Sequence, residues 1–278
     1  MERTVETIIR MALDEDVAHG DGTTLSTVPL GSRCHTSLIA KSDGILSGIT
    51  VFRCAFELVG SDVEKWEALD DGASFKAGDR IAYFEGRTRG VLTAERVAMN
   101  FLQHLSGVAT TTHNFVEAVG DLPARIADTR KTTPMLRVLE KAAVRHGGGV
   151  NHRFNLADGI LIKENHIIAA GGITEAIHGA RGRAHHLQRV EIEVETLEEL
   201  DLALSAGADA ILLDNMDNDT LRKAVAKVAG KDILLEASGN MTLDRVRGVA
   251  ETGVNLISVG ALTHSSPAVD ISLLIENV

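Results

Sequence analysis

The chain has 278 residues, 44% of them hydrophobic and 24% charged, enough to bury the core of one large or two moderate domains. A formal net charge of −11 argues against a broad nucleic-acid-binding face. No apolar run approaches the ~20 residues a membrane span needs, and MERTVETIIR lacks the apolar core of a secretory leader, so cytoplasmic residence is expected. Cys34 and Cys54 are too few for a disulfide framework or a four-ligand zinc site, and the eleven histidines show no HExxH spacing; the cysteines read as reduced packing residues.

In chain order, HTSLIAKS (35–42) and RIAYFEG (80–86) read as strands, with DGASFKAGDR (71–80) as a glycine-bearing turn region. A helix is expected over 93–119, because Val97, Phe101, Leu102, Leu105, Val108 and Ala109 recur at helical spacing. Thr93 is its expected N-cap, Gly107 its weak point, and Arg96, Asn100 and Gln103 share its polar face. Near residue 115 the pattern changes. After residue 123, short β-rich runs alternate with amphipathic helices, the signature of parallel βα units. The expected strands are 124–129, 159–163, 189–195, 210–214, 232–237 and 256–259; the helices between them are 134–146, 173–186, 197–207, 218–230 and 242–252. Pro134 suits the first turn of its helix, where its missing N–H would be unpaired anyway.

These strands repeatedly stop at a polar or small residue: Thr129-Arg130-Lys131, Lys163, Glu193 and Glu195, Asp214, Glu236 and Ser238, Gly260. In a βα barrel the carboxyl ends of the strands are where a site is assembled. A doubly wound open sheet gathers ligands there too, but it advertises a glycine-rich turn after its first strand, and here that strand ends in Arg-Lys. The same region reverses the charge of the chain. Residues 125–166 hold eight Arg or Lys against four Asp or Glu, which points to a small anionic ligand. Arg137, Lys141 and Arg145, spaced four apart, read as a solvated helix face, leaving Arg130, Lys131, Arg153 and Lys163 as the ligand-facing cations.

Glu191, Glu193 and Glu195 alternate with Ile192 and Val194 and so project from one strand face, with Lys163 and Arg130 available as partners if that face points inward. Asp214 pairs with Glu193 as a carboxylate couple suited to hydrated Mg²⁺ or sugar hydroxyls. Ser238-Gly239-Asn240 and Ser258-Val-Gly260-Ala261 end their strands in small residues whose backbone N–H groups approach phosphate closely, the pattern of a phosphate site in the last two βα loops of a barrel. GGGVNHR (147–153) adds His152 and Arg153, and the arginine fork matches a carboxylate bidentately.

Taken together, TAERVAMNFLQHLSGVAT (93–110), DTRKTTP (128–134), GGGVNHRF (147–154), LIKENH (161–166), EIEVE (191–195), LLDN (212–215), EASGN (236–240) and ISVGALTHS (257–265) resemble the quinolinate phosphoribosyltransferases, from about residue 13 to the end. The resemblance implies an α/β protein with an N-terminal α/β sandwich domain over 1–115, joined by 266–278. A short, incomplete, TIM-like βα barrel then covers 116–265. It implies transfer of a phosphoribosyl group from phosphoribosyl pyrophosphate to quinolinate, with loss of CO₂, in a homodimer or larger assembly that uses Mg²⁺ and binds neither nucleic acid nor membrane. By position, Arg96 is similar to an arginine lent across the dimer. Thr129, Arg130, His152, Arg153 and Lys163 correspond to the grip on quinolinate, with Lys131 serving either ligand. Lys131, Lys163, Glu193 and Asp214 take the catalytic places, Glu193 and Asp214 near ribose and metal, directly or through water. Ser238, Gly239, Asn240, Ser258, Gly260 and Ala261 take those of the 5′-phosphate holders. Glu164 stands where many relatives carry Asp, and Asn240 where many carry a second glycine. The readings left beside this one are a related phosphoribosyltransferase with another acceptor and a non-catalytic phosphosugar-binding barrel. The carrier-like hairpin over 71–86 lacks the Met-Lys turn a carrier needs.

Overall fold

The computed structural model describes residues 3–277. In chain order its elements are α1 (Arg3–Val17), α2 (Gly22–Thr27), β1 (Arg33–Ala40), β2 (Gly44–Ile45), α3 (Ile49–Leu58), β3 (Glu64–Ala68), β4 (Ser74–Phe75), β5 (Arg80–Arg87) and α4 (Thr88–Val119). There follow β6 (Arg125–Ala127), α5 (Arg137–His146), β7 (Ile160–Ile162), α6 (Glu164–Ala170), α7 (Ile173–Arg181), β8 (Val190–Val194), α8 (Leu197–Ala206), β9 (Ala210–Asp214) and α9 (Asn218–Val228). The last are β10 (Leu234–Ser238), α10 (Leu243–Ala250), β11 (Leu256–Ser258), α11 (Ala261–His264) and β12 (Ile271–Asn277). Two compact units result. One combines the chain up to His113 with Thr132–Gly148 and the segment from Leu262 onward; the other is Asn114–Lys131 with Gly149–Ala261.

The first unit is built on a four-stranded antiparallel sheet in the order β12-β1-β5-β3. Along β1 every second residue is buried, the two-residue alternation of a strand with one face on a core. That core is aromatic: Phe52 and Phe56 of α3 meet edge to face at 4.9 Å, and Phe84 of β5 lies 5.0 Å from Phe56 and 5.6 Å from Trp66 of β3. Aromatic pairs of this kind contribute about 0.5–1.5 kcal/mol each beyond their buried area. The region read as a turn, 71–80, contains β4, which pairs with β2. The long helix starts five residues before the expected N-cap. Thr93 lies inside α4, and its hydroxyl donates to Asp21 Oδ2 at 3.4 Å. Gly107, expected to weaken α4, sits where the helix meets the segment leading to β12: a Cβ there would stand 2.2 Å from the Pro267 carbonyl oxygen. Pro134 lies in a turn ahead of α5, closed by the Leu136 amide donating to the Thr133 carbonyl, rather than in the first helical turn. Lys141, expected on a solvated face, is buried with Leu139, Glu140, Ala143 and Val144. A spacing of four sets a common helix face but does not say whether that face is covered.

The second unit carries six parallel strands in the order β6-β11-β10-β9-β8-β7. Each strand lies beside the next in sequence except at one seam, β6 and β7 being the two ends of the row, so the winding is that of a βα barrel left open between its first and second strands. All six expected strands are present within one or two residues of their expected ends, and helix α6, directly after β7, is an addition to the expected set. Parallel strands covered on both faces read as apolar runs, and Ile211, Leu212 and Leu213 of β9 are all buried. No described helix is long and apolar enough to cross a membrane.

Candidate active site

At the carboxyl ends of these six strands lies a cavity of about 430 Å³ lined by Thr129, Arg130, Lys131, His152, Arg153, Leu161, Lys163, Glu193, Leu212, Asp214, Glu236, Ser238 and Ser258. Ten of these are residues to which the sequence assigns a site role. Leu161, Leu212 and Glu236 are additions. Arg96 is exposed on α4 and belongs to the first unit; Gly239, Asn240, Gly260 and Ala261 follow the lining residues Ser238 and Ser258 in sequence but do not themselves line the cavity.

The cationic side is held by a residue that the sequence reading passed over. Asp128, fully buried just after β6, accepts from the His152 amide (2.8 Å) and from Asn151 Nδ2 (2.6 Å), which ties the HR pair to the end of the first strand. Its place inside DTRK was the available signal, since an acid at the end of an apolar strand needs donors once buried. The Lys131 amide donates to Thr129 Oγ1 at 3.0 Å, fixing the turn that carries Arg130 and Lys131. Arg153 donates to the Gly159 carbonyl through Nη1 (3.3 Å); burial, and then the neighbouring Arg130 charge, press its pKa down. A guanidinium stays protonated under such pressure, so the two arginines form a pair of like charges that an anion would relieve.

On the acidic side the β8 alternation turns out as the pattern implies: Val190, Ile192 and Val194 are buried, Glu193 faces the cavity, and Glu191 Oε2 lies 3.3 Å from His152 Nε2. Glu195 is exposed beyond the strand end, and its amide donates to Glu199 Oε2. Lys163 Nζ donates to Glu193 Oε2 at 2.5 Å. Lys163 is itself set by α6: its amide donates to His166 Nδ1 at 3.0 Å, while the His166 amide donates to the Lys163 carbonyl. Asp214, at the end of β9, has its pKa raised by burial and then by the charge of Glu193, against the opposing hydrogen bond from Asn215 Nδ2 at 2.6 Å. Two oxygen-donor carboxyls that repel one another at the rim of a cavity are a fitting place for a hard divalent cation.

The loop after β10 is shaped by its neighbour after β9. Gly239 has φ +94°, and a Cβ on it would stand 2.2 Å from Asn215 Oδ1. Asn215 and Asn240 also take positive φ, 54° and 46°, and Asn240 Nδ2 donates to Asn215 Oδ1 at 3.2 Å. Arg245 of α10 clamps both loops, donating to the Gly239 carbonyl and to the Met216 carbonyl at 2.8 Å each. The sequence reading missed Arg245 because its partners are backbone atoms, which no motif displays.

Comparisons with known proteins account for nearly the whole chain. Residues 21–106 match the model of the quinolinate phosphoribosyl transferase N-terminal domain, and residues 108–274 that of the C-terminal domain. The chain is 46% identical over 259 residues to the probable nicotinate-nucleotide pyrophosphorylase (carboxylating) of Bacillus subtilis, covering 93% of this chain and 89% of that protein. It is 41% identical over 271 residues to the nicotinate-nucleotide pyrophosphorylase (carboxylating) of Mycobacterium leprae, covering 95% of each. Among solved structures, NadC from Streptococcus pyogenes superposes with a TM-score of 0.94 at 41% identity over 99% of this chain and 97% of that one. With both domain models matched in order along the chain and relatives above 40% identity over nearly its whole length, the chain belongs to the quinolinate phosphoribosyltransferase family.

Proposed function

We propose that this chain transfers the phosphoribosyl group of phosphoribosyl pyrophosphate to the ring nitrogen of quinolinate and releases CO₂, giving nicotinate mononucleotide for NAD synthesis. The observation that carries the reading is the two-sided cavity. Its lining brings Arg130, Lys131, Arg153 and Lys163 together with Glu193 and Asp214 and with the Ser238 and Ser258 loop starts. Arg130 and Arg153 pair with the two ring carboxylates and set the nitrogen toward the sugar. Ser238-Gly239-Asn240 and Ser258-Val259-Gly260-Ala261 hold the 5′-phosphate through backbone amides.

Transfer needs charge stabilisation more than a strong nucleophile. The pyridine nitrogen attacks ribose C1 as pyrophosphate departs; Lys131 and Lys163 offset the charge growing on the leaving group, and Glu193 and Asp214 favour the cationic sugar. Glu193 and Asp214 would hold Mg²⁺, directly or through water. The ion, when bound, supplies further charge stabilisation to the pyrophosphate oxygens. The same proposal includes cytoplasmic residence and a homodimer or larger assembly in which Arg96, exposed on α4, serves the neighbouring subunit's site.

The direct test incubates purified protein with quinolinate, phosphoribosyl pyrophosphate and Mg²⁺ and follows nicotinate mononucleotide and CO₂, with nicotinate replacing quinolinate as control. Product from quinolinate alone supports the reading. Product from nicotinate in preference would reassign the acceptor.

A further inference from the structure

Around His152 the cavity wall holds two carboxyls, Glu191 and Glu236, to which none of the roles above is assigned. Glu236, on β10, is 1% exposed yet lines the cavity. His152 Nε2 lies 3.5 Å from its Oε2 and 3.3 Å from Oε2 of Glu191, and the ligating atoms of all three residues fall within 4.8 Å of one another. The imidazole tautomer can be inferred from its other nitrogen. The Arg153 amide donates to His152 Nδ1 at 2.8 Å, so Nδ1 is the acceptor and the ring proton sits on Nε2, between the two carboxyls. A ring in that state is neutral. One N–H then faces two acids, and Oε1 of Glu191 and Oε1 of Glu236 are both buried without a hydrogen-bond partner among the described residues.

A buried carboxylate on Glu236, with the half-buried Glu191 on the other side of one neutral imidazole, would also stand against the dianion quinolinate that, on the reading above, the cavity receives. Like charges so placed oppose substrate binding, and one proton on the pair removes half of that opposition. Glu236 is the member that takes it. Burial first, and then the charge of Glu191, raise its pKa from 4.5 to about 7, with Ser258 and Lys163 among the groups that oppose the shift.

We propose that Glu236 enters the reaction as a neutral carboxylic acid and supplies the proton that replaces CO₂ on the pyridine ring. Once the ring nitrogen is bonded to ribose, the bond from C2 to its carboxylate breaks, CO₂ leaves, and the electron pair stays on C2 beside the quaternary nitrogen. The O–H bond of Glu236 then breaks as the C2–H bond forms. Its carboxylate regains a proton from solvent after the product leaves, and until then its charge adds to that of Glu191 and repels the remaining ring carboxylate. The other lining groups are less suited. Arg130 and Arg153 hold their protons too tightly, Lys163 is engaged by Glu193, and Asp214 is assigned to ribose and Mg²⁺ on the reading above.

This inference rests on quinolinate occupying the cavity, and the test separates the two. Glu236→Gln keeps the shape and neutrality of the acid but has no proton to give. The variant is expected to bind quinolinate within about threefold of wild type by calorimetry while kcat falls roughly 100-fold, the usual scale for loss of a general acid. Glu236→Asp, which keeps an acid, should recover at least part of that loss. The decline of wild-type kcat/KM for quinolinate above pH of about 7 should be absent from the Gln variant. Wild-type kcat in Glu236→Gln would overturn the proposal, as would loss of quinolinate binding with kcat retained at saturation, which would make Glu236 a positioning residue. If the Gln variant does not fold, Glu236→Ala takes its place, and wild-type kcat with an unchanged pH profile in that variant would overturn the proposal equally. Failure of the wild-type protein to bind quinolinate at all would instead remove the reading of the cavity on which the proposal stands.

Discussion

Lys163 Nζ and Glu193 Oε2 stand 2.5 Å apart, the one directly after β7 and the other on the neighbouring β8, so a cation assigned to substrate is held by an acid assigned to ribose. The pair is more than an isolated surface contact, because both members line the cavity. Substrate arrival has to redistribute this bond, and the two residues should act as a unit. Lys163→Ala and Glu193→Gln are each expected to lower kcat/KM by 10²-fold or more, on the order typical of charge-stabilising groups. The double variant should lose much less than the product of the two. Steady-state kinetics on the four proteins checks this, and simple multiplicativity would show that the two residues work independently.

Arg153→Ala should weaken quinolinate binding about 10²-fold or more while the melting temperature holds or rises, since removing one of two neighbouring guanidiniums relieves their repulsion. The Michaelis constants for both substrates decide the matter. An unchanged constant for quinolinate would exclude Arg153 from its grip.

Gly239→Ala combines an unfavourable φ of +94° with a Cβ 2.2 Å from Asn215 Oδ1 and 2.9 Å from the Asn215 backbone nitrogen. Asn215 would have to move, and with it the ends of β9 and β10, where its amide donates to the Ser238 carbonyl. Binding of phosphoribosyl pyrophosphate is expected to fall by at least about tenfold, in line with the loss of one good hydrogen bond or more. Titration of the variant with that ligand, beside a quinolinate titration that should change little, tests the assignment of this loop to phosphate.

Gly107→Ala pits two effects against each other. In a free helix the change would stabilise by about 1 kcal/mol. Here the new methyl meets the Pro267 carbonyl oxygen at 2.2 Å and its carbon at 3.0 Å, backbone atoms with little room to yield. Overpacking of this kind costs about 1–3 kcal/mol or more, so the net effect should be destabilising. Chemical denaturation would show it as a lower midpoint, and a raised midpoint would mean that the segment before β12 gives way freely.

Glu236 also sets a pH dependence of stability. Its pKa is raised in the fold, from 4.5 to about 7. The folded state therefore favours the protonated form: the associated stability is full below pH 4.5 and is lost as pH rises toward 7. Glu236→Gln cannot ionise, so its melting temperature should improve relative to wild type between pH 5 and pH 8. The differential is on the order of 1–3 kcal/mol. Thermal melts at the two pH values measure it, and a difference that does not change with pH would mean that Glu236 is ionised throughout.

Much of this site was legible in the sequence because its signals are local. The alternation of β8 places Glu191 and Glu193 on one face whatever lies opposite, and the stops at Lys131, Lys163, Asp214 and Ser238 mark strand ends that any parallel sheet would bring to one side. The misjudged positions depended on what a surface meets. Lys141 shares the spacing of Arg137 and Arg145 but is buried, and Thr93 looks like a cap only until the preceding five residues are seen to be helical.

Sequence alone therefore determined the periods, the strand ends and the kinds of charge brought to them, because a side chain's face follows from two or 3.6 residues per repeat. Tertiary structure decided the pairings across long separations. It seated β12 against β1, set Arg245 on the carbonyls of Gly239 and Met216, and closed His152 between Glu191 and Glu236. Those contacts depend on the order of strands in the sheets and on which buried polar atoms lack other partners, and both exist only once distant segments are packed together.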